Sequence, residues 1–341
     1  MNINPLIISD VISGGAATCT TRLVDHLRSM AIDVHHIHFS PQPENTPSHI
    51  QSLDPKRKAP TLERVLKNFN RSAALNLRRR RNINSCRRAL GSHTADVISL
   101  ENIHNSGLDH RAITELFRNQ QIVWTMHDCW AFTEYAFRFP NSNLGIEDFT
   151  LRSKDPIKSS YERQQFFNNN PSIQLVGTSD WITKEASNYV PENISTRHIP
   201  SGVPLETYQP LDKVSAKKHL GLCRNKIWLG FASTWANMRK GTDLLIEALN
   251  KIPNKNIGVV TWGGPLSPGI NKHIDHVHFG YIHSEKVSAL LYSAIDLFIC
   301  PSRADNLPNT CLEALACGTP IIGSDAGGIP EIAIDGETGW I

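Results

Sequence analysis

The sequence predicts an α/β protein with two parallel-sheet halves. Three observations carry that expectation. Short apolar runs of strand length recur along the chain, amphipathic stretches of helical period lie between them, and the pattern loosens near the middle, over Pro191–Leu222. Strands separated by helices need crossover connections, which join parallel neighbours and are right-handed. With 341 residues, 40% hydrophobic and 20% charged, the chain is long enough to bury two cores.

Taken in order, the first half has candidate strands at Leu6–Ser9, Val34–Phe39, Val97–Leu100, Ile122–Met126 and Gln174–Gly177, with helices expected at Thr20–Met30 and Asp180–Tyr189. Pro200, Pro204 and Pro210 then break the pattern before a helical segment that ends at Gly221. The second half has candidate strands at Ile227–Ala232, Gly258–Trp262, Val277–Phe279, Leu297–Cys300 and Ile321–Ser324, with helices at Thr242–Lys251 and Glu285–Ala294. These boundaries divide the chain into a domain over 1–200, a linker over 201–225 and a domain over 226–341. The turn-like DGETG before Trp340 leaves Ile341 where a strand begins, so the second domain is expected to be incomplete at its carboxy terminus. Ligands of such sheets bind beyond the carboxyl ends of the strands.

Composition narrows the function. No run approaches ~18 apolar residues, which argues against a membrane-spanning helix. The amino terminus, MNINPLIISDVISGG, has no basic leader and reads as a first strand, so a cytoplasmic protein is expected. Seven scattered cysteines without a CxxC pair suit reduced thiols better than disulfides or zinc. His35, His36 and His38 alternate along a strand and point to opposite faces, poor geometry for one metal. Between Lys56 and Arg88, twelve Lys or Arg face one acid, Glu63; this window is +11 in a chain of net charge +3, leaving the rest at −8. Such a basic face suits an anionic lipid surface, a lipid-pyrophosphate acceptor or nucleic acid, or is simply a solvated helix pair.

The most informative stretch is ADNLPNTCLEALACGTPIIGSDAGGIPEI, from Ala304. Pro308 suits the first position of a helix, and Gly318 followed by Pro320 stops it. A short helix after the strand Leu297–Cys300 thus presents the amides of Asn309 and Thr310, a phosphate-binding arrangement. Asp305 precedes that helix and Glu313 lies about one turn inside it, so both carboxylates can border one pocket. The glycine pair Gly327-Gly328 follows the next strand. The first strand is followed by SGGAAT in place of GxGxxG, which disfavours a nicotinamide dehydrogenase.

The spacing acid-x7-Glu followed by ALACGTPIIGSDAGGIPEI resembles the signature of the family 4 retaining glycosyltransferases. The likeness extends through FICPSRADNLPNT, YSAIDL, TWGG, the RKGTDLLIEAL segment at Arg239, IPSGVP and the GGAA loop at Gly14, and WTMHDCWAFT is similar to segments in colanic acid and exopolysaccharide sugar transferases. The resemblance implies the GT-B architecture of two facing Rossmann-like domains. It implies a nucleotide-sugar donor and a glycan or lipid-linked glycan acceptor; the basic window 56–88 then points to peripheral membrane attachment, and no nucleic-acid partner is expected, since one would not explain the carboxy-terminal constellation. The resemblance assigns Glu313 to the nucleotide ribose and Asp305 to the donor sugar, where most members have a glutamate one methylene longer. Lys240 matches the cation that stabilises the departing diphosphate. The usual arginine five residues earlier is Trp235 here, and Arg239 is the candidate to compensate. Gly14 and Gly15 match the loop against the donor phosphates and acceptor, and His127 matches a histidine bordering the reacting sugar.

Breaking a sugar–nucleotide bond builds negative charge on the diphosphate, and Lys240 with the amides at Asn309 and Thr310 is suited to it. These groups can replace a divalent metal, and no cofactor is expected. The resemblance implies retention of anomeric configuration. Competing readings are a nucleotide-sugar epimerase of the same architecture and a truncated transferase that binds nucleotide sugar without turnover.

Overall fold

A computed structural model describes residues 3–10, 14–39, 48–53, 71–91, 94–103, 106, 108–133, 156–233, 238–253, 256–264, 270 and 274–341, the side chains at 71, 72, 74, 75, 78 and 156–160 apart. The described chain falls into two units: one runs to Pro200, and the other holds Ser201–Ile341 together with Ser179–Trp181.

The first unit contains β1 (Pro5–Ser9), α1 (Gly15–Ser29), β2 (His35–His38), β3 (Ile50–Ser52), α2 (Arg71–Leu90), β4 (Val97–Leu100), α3 (His110–Phe117), β5 (Gln121–Met126), α4 (Pro156–Asn169), β6 (Gln174–Gly177), α5 (Asp180–Ser187) and β7 (Ser195–His198). Its strands form one parallel sheet in the order β3-β2-β1-β4-β5-β6-β7. The apolar run of β1 is buried at every position, as a central parallel strand covered on both faces must be. The edge strands β3 and β7 have no apolar run: IQS is only partly buried and STRH is mostly exposed. Neither strand is among those expected from sequence, because an edge strand need not be hydrophobic to pair.

The second unit contains α6 (Lys213–His219), β8 (Ile227–Ser233), α7 (Thr242–Lys251), β9 (Ile257–Gly263), β10 (Asp275–His278), α8 (Glu285–Ala294), β11 (Leu297–Cys300), α9 (Asn309–Ala316), β12 (Ile321–Gly323) and β13 (Gly339–Trp340). Its parallel sheet has the order β10-β9-β8-β11-β12-β13. Alternation along the strands divides its core between two faces. Trp228, Val260, Trp262 and Phe298 pack with Leu291 and Tyr292 of α8, while Leu229, Phe231 and Val259 pack with Leu245 and Leu249 of α7. Residues 201–225, read from sequence as a linker, contain α6 and add Tyr208, Ala216 and Leu222 to the first of these clusters. Strand β10 begins two residues before the expected Val277, its polar Asp275 and His276 being tolerated at an exposed edge.

Each sheet reverses its strand order once, between β1 and β4 and between β8 and β11. At such a point the connections leave to opposite sides, and a crevice opens at the carboxyl ends of the two strands. Among the described residues, no helix is long and apolar enough to cross a membrane.

His110 opens α3, where the Asp109 carboxylate caps the helix by accepting from the Ala112 N–H at 2.9 Å. Its imidazole is enclosed by Trp124, Trp130 and Phe166, with ring centroids 4.9–5.5 Å away, and its Nε2 donates to the Ala131 carbonyl at 3.0 Å. Burial, and to a lesser extent Arg163, push its pKa down to about 3. The unfolded chain takes up this proton near pH 6.5 and the folded chain does not, so stability falls as pH falls through 6.5. From pH 7 to pH 5 this one group is expected to remove about 2 kcal/mol. Denaturant titrations at the two pH values should show that difference shrinking by about this amount in His110→Phe; an equal acid loss in both proteins would refute it.

Candidate active site

The reversal point of the second sheet is built from the loops after β8 and β11. In the connection after β8, Met238–Lys240 form a single turn that enters α7 through Gly241. Gly241 has φ +67°, and a Cβ there would collide with the Pro301 carbonyl of the other loop. The two loops are joined above this contact. The Arg303 guanidinium donates to both carboxylate oxygens of Asp243, each at 2.7 Å, and to the Met238 carbonyl at 2.8 Å, and the Arg303 N–H donates to the Arg239 carbonyl at 2.7 Å. Hydrogen bonds from Arg303 hold the Asp243 carboxyl below its ordinary pKa.

This frame brings Arg239, Lys240 and Asp305 together. Lys240 Nζ lies 2.5 Å from Asp305 Oδ2, and Arg239 Nη1 lies 3.7 Å from Oδ1 while donating to the Ala304 carbonyl at 3.0 Å. The Ser302 hydroxyl donates to Asp305 at 3.3 Å. The Asp305 side chain is only 11% exposed. Burial would raise its pKa, but the charges of Lys240 and Arg239 and the hydrogen bonds outweigh it and leave the carboxyl below its ordinary value. Two cations thus flank one ionised carboxylate here. Behind them Gly327, at φ +59°, passes so close to the Asp305 carbonyl that no side chain fits.

Helix α9 starts at Asn309, followed by Thr310. Pro308 is the capping residue, with extended ψ of 117°, and not the first helical residue expected from sequence. Its fixed φ serves the cap equally well. Glu313 is buried on α9, and its Oε2 accepts from the Tyr292 hydroxyl of α8 at 2.9 Å. Tyr292 is 1% exposed, and burial followed by the Glu313 charge pushes its phenol pKa well up, so the hydroxyl stays a donor. Tyr292 is a partner that sequence reasoning did not single out; its place in YSAIDL on a buried helix face was the available signal. Cys311 and Cys317 are buried, as packing residues would be.

The reversal point of the first sheet holds the remaining candidates. Gly14, with φ +95°, caps α1, and Gly15 is its first residue. His127 follows β5, and its Nε2 donates to Glu101 Oε2 at 2.7 Å. Glu101 follows β4, is 2% exposed, and accepts from Ser99 and Thr125 at 3.0 and 3.1 Å through Oε1. Burial alone would lower the His127 pKa, but hydrogen bonds and charge from Cys19 and Glu101 raise it to about 10. The imidazole is therefore protonated at neutral pH. Glu101 was missed from sequence; the only signal was an acid directly after an apolar strand. Trp124 and Phe132 are buried packing residues, while Trp130 lies against His110 and is less buried. His104, which sequence reasoning weighed as an acceptor contact, and Trp235 lie outside the described residues.

Comparison with known proteins identifies what these two units are similar to. A family model described as Glycosyltransferase Family 4 matches residues 13–207, and one described as Glycosyl transferases group 1 matches residues 226–341. The curated D-inositol 3-phosphate glycosyltransferase of Mycobacteroides abscessus is 26% identical over 269 residues, which are 74% of this chain and 59% of that protein. The chain thus spans about three fifths of the length of the curated relatives it matches. Among solved structures, sucrose-phosphate synthase from Thermosynechococcus elongatus has a TM-score of 0.72 at 19% identity, covering 99% of this chain and 85% of that one. Anabaena HepE in complex with UDP and glucose has a TM-score of 0.64 at 16% identity, with the same coverage of 99% and 85%. At these identities the structural likeness shows the fold.

The close approach at Gly241 gives a direct test of the frame. Gly241→Ala is expected to cost more than about 2 kcal/mol through the strained φ and the collision with Pro301. An unfolding midpoint equal to that of the wild type would contradict the described contact.

Proposed function

The chain belongs to the family 4 glycosyltransferases and has their GT-B class of fold, and on that premise we propose that it transfers a sugar from a nucleotide-sugar donor to a glycan or lipid-linked glycan acceptor, with retention of configuration. One observation carries this reading: two cations, Arg239 and Lys240, and the first turn of α9 lie around the reversal point of the second sheet, which also holds the ionised Asp305. A diphosphate is the anion such a site suits. Lys240 and Arg239 would take up the charge that develops on it as the sugar leaves, and the amides of Asn309 and Thr310 would add to this. Fixed cations of this kind do the work that a divalent metal does in other sites, so the proposal includes no metal or other cofactor.

Asp305 is in the ionised form that accepts hydrogen bonds from donor-sugar hydroxyls, and it holds Lys240 in place until a phosphate competes for it. Glu313, oriented by Tyr292, is assigned to the nucleotide ribose. Gly14 and Gly15, at the start of α1, would let the donor phosphates and acceptor come close to the backbone. His127, protonated at neutral pH, is a hydrogen-bond donor that positions sugar hydroxyls and has no lone pair to serve as base. Deprotonation of the acceptor then falls to the leaving phosphate, the assignment that retention requires when no protein nucleophile takes part.

The acceptor side of the proposal is a lipid-linked glycan of polysaccharide biosynthesis at an anionic cytoplasmic membrane face. It rests on the basic window 56–88 and on the likeness of WTMHDCWAFT to exopolysaccharide transferases. Residues 56–70 lie outside the described residues; in α2, Arg79 pairs with Asp109 and Arg87 with Glu115. The Arg87–Glu115 pair is exposed at both ends and weak, so it leaves Arg87 available to phosphate headgroups, whereas Arg79 is only 22% exposed and also donates to Asn76 at 2.7 Å.

Isothermal titration with UDP- and GDP-sugars is expected to show donor binding that Glu313→Ala abolishes, and unchanged affinity in that variant would remove the ribose assignment. Lys240→Ala is expected to lower kcat by about 10²-fold or more, with transfer by the wild type insensitive to a chelator. Sugar released or rearranged equally with and without acceptor would replace transfer by an epimerase reading. Co-sedimentation with vesicles should rise with their anionic lipid fraction; no dependence would dismiss the membrane surface.

A further inference from the structure

Tyr292 and Glu313 form a polar pair inside the apolar core of the second unit. The Tyr292 hydroxyl of α8 donates to Glu313 Oε2 of α9 at 2.9 Å, with the tyrosine 1% and the glutamate 8% exposed. The phenol ring is held from several sides. Its centroid lies 5.1 Å from that of Trp262, 5.5 Å from Phe298 and 6.3 Å from Tyr208, and the Tyr292 carbonyl accepts from the Thr319 hydroxyl at 2.7 Å. None of these contacts uses the phenol oxygen, and a phenylalanine would fill the same space. Burying a hydroxyl and a carboxyl group among apolar side chains is costly unless each is hydrogen-bonded, so packing alone gives no reason for the pair.

A glutamate side chain is flexible, and ordering it costs entropy. Bonding Oε2 to a phenol that is itself immobile restricts the plane of the carboxyl group, and with it the direction in which Oε1 can accept. Side chains on a helix lean toward its amino terminus, and Glu313 follows Asn309 by four residues, so the carboxyl group lies over the first turn of α9, on the face of the Asn309 amide. In a nucleoside diphosphate the ribose adjoins the phosphates. Its 2′ and 3′ hydroxyls are neighbouring donors, the complement of a carboxylate held in one orientation.

We propose that Tyr292 is a positioning residue: by holding Glu313 it makes the donor site select nucleotides with an intact ribose diol over deoxygenated ones. On the donor-site reading given above, on which this rests, Tyr292 acts through Glu313 and adds a specificity determinant to that site. A loose carboxylate must be ordered when the diol arrives, whereas one already held loses little further freedom. Removing the phenol oxygen therefore weakens ligands that carry the diol and spares those that lack it.

Isothermal titration of the full chain and of Tyr292→Phe with UDP and 2′,3′-dideoxy-UDP tests this, the guanine pair being used if the wild type binds GDP in place of UDP. The wild type is expected to bind the ribonucleotide about tenfold or more tightly than its dideoxy analogue. Tyr292→Phe should lose about tenfold for the ribonucleotide and less than about twofold for the analogue. Equal losses for both ligands, or none for either, in a variant with the circular dichroism of the wild type would overturn the role of Tyr292 and leave the donor site standing. A second readout needs no variant. With tyrosine labelled at Cζ, the Tyr292 signal is expected to shift when the ribonucleotide saturates the wild type and to move far less with the analogue; the same shift with both would also overturn the proposal. A wild type that binds ribonucleotide and analogue equally removes the Glu313–ribose contact and this inference with it, whereas one that binds no nucleotide removes the donor-site reading itself.

Discussion

The second unit depends on one pairing, β8 against β11, made through the register Leu297 opposite Leu229 and Phe298 opposite Gly230. From β8 the sheet continues outward through β9 and β10, and from β11 through β12 and β13. Right-handed crossovers therefore leave the two central strands in opposite directions, and nothing in the sheet fills the space beyond their ends. The first unit repeats this arrangement with β1 and β4. Every candidate residue follows one of the strands around these points or the strand beside it, because there a side chain is held by a rigid sheet yet not covered by the next crossover.

Electrostatics decides what such a crevice can hold. Burial alone would raise the Asp305 pKa and lower that of His127, and each is kept charged by its hydrogen-bonded and charged partners. In the second unit the carboxylate is outnumbered by Lys240 and Arg239; in the first, the imidazolium is paired with Glu101. Both are compensated buried charges, and removing one partner of such a group is costly because the other is left unpaired in a poorly polarisable surrounding. The sites are therefore ordered before any ligand arrives, and a ligand gains by replacing a partner that is already in place.

Much of this was legible in the amino acids, for identifiable reasons. Central strands such as β1, β4, β8 and β11 are apolar because both faces are covered, so their positions could be read directly. The polar β3 and β7 could not, since edge pairing is made by the backbone, which leaves no mark on composition. Tyr208 and Leu222 sit in a stretch whose prolines suggested a connector, yet they pack into a core; prolines describe backbone freedom and say little about burial. The approach of Lys240 to Asp305 was implied by family likeness and not by spacing, because 65 residues separate them. Glu101 escaped notice for the same reason: its pairing with His127 joins the ends of two neighbouring strands and has no local pattern.

The clamp of Arg303 on Asp243 and Met238 has a consequence for altering donor choice. It ties the loop that carries Asp305 to the loop that carries Lys240, so the two cannot be adjusted separately. Lengthening the side chain at 305 by one methylene would press on Lys240 and Ser302 together. Any redesign of this site therefore has to vary positions 240, 302, 303 and 305 as a set, because the two loops form one mechanical unit.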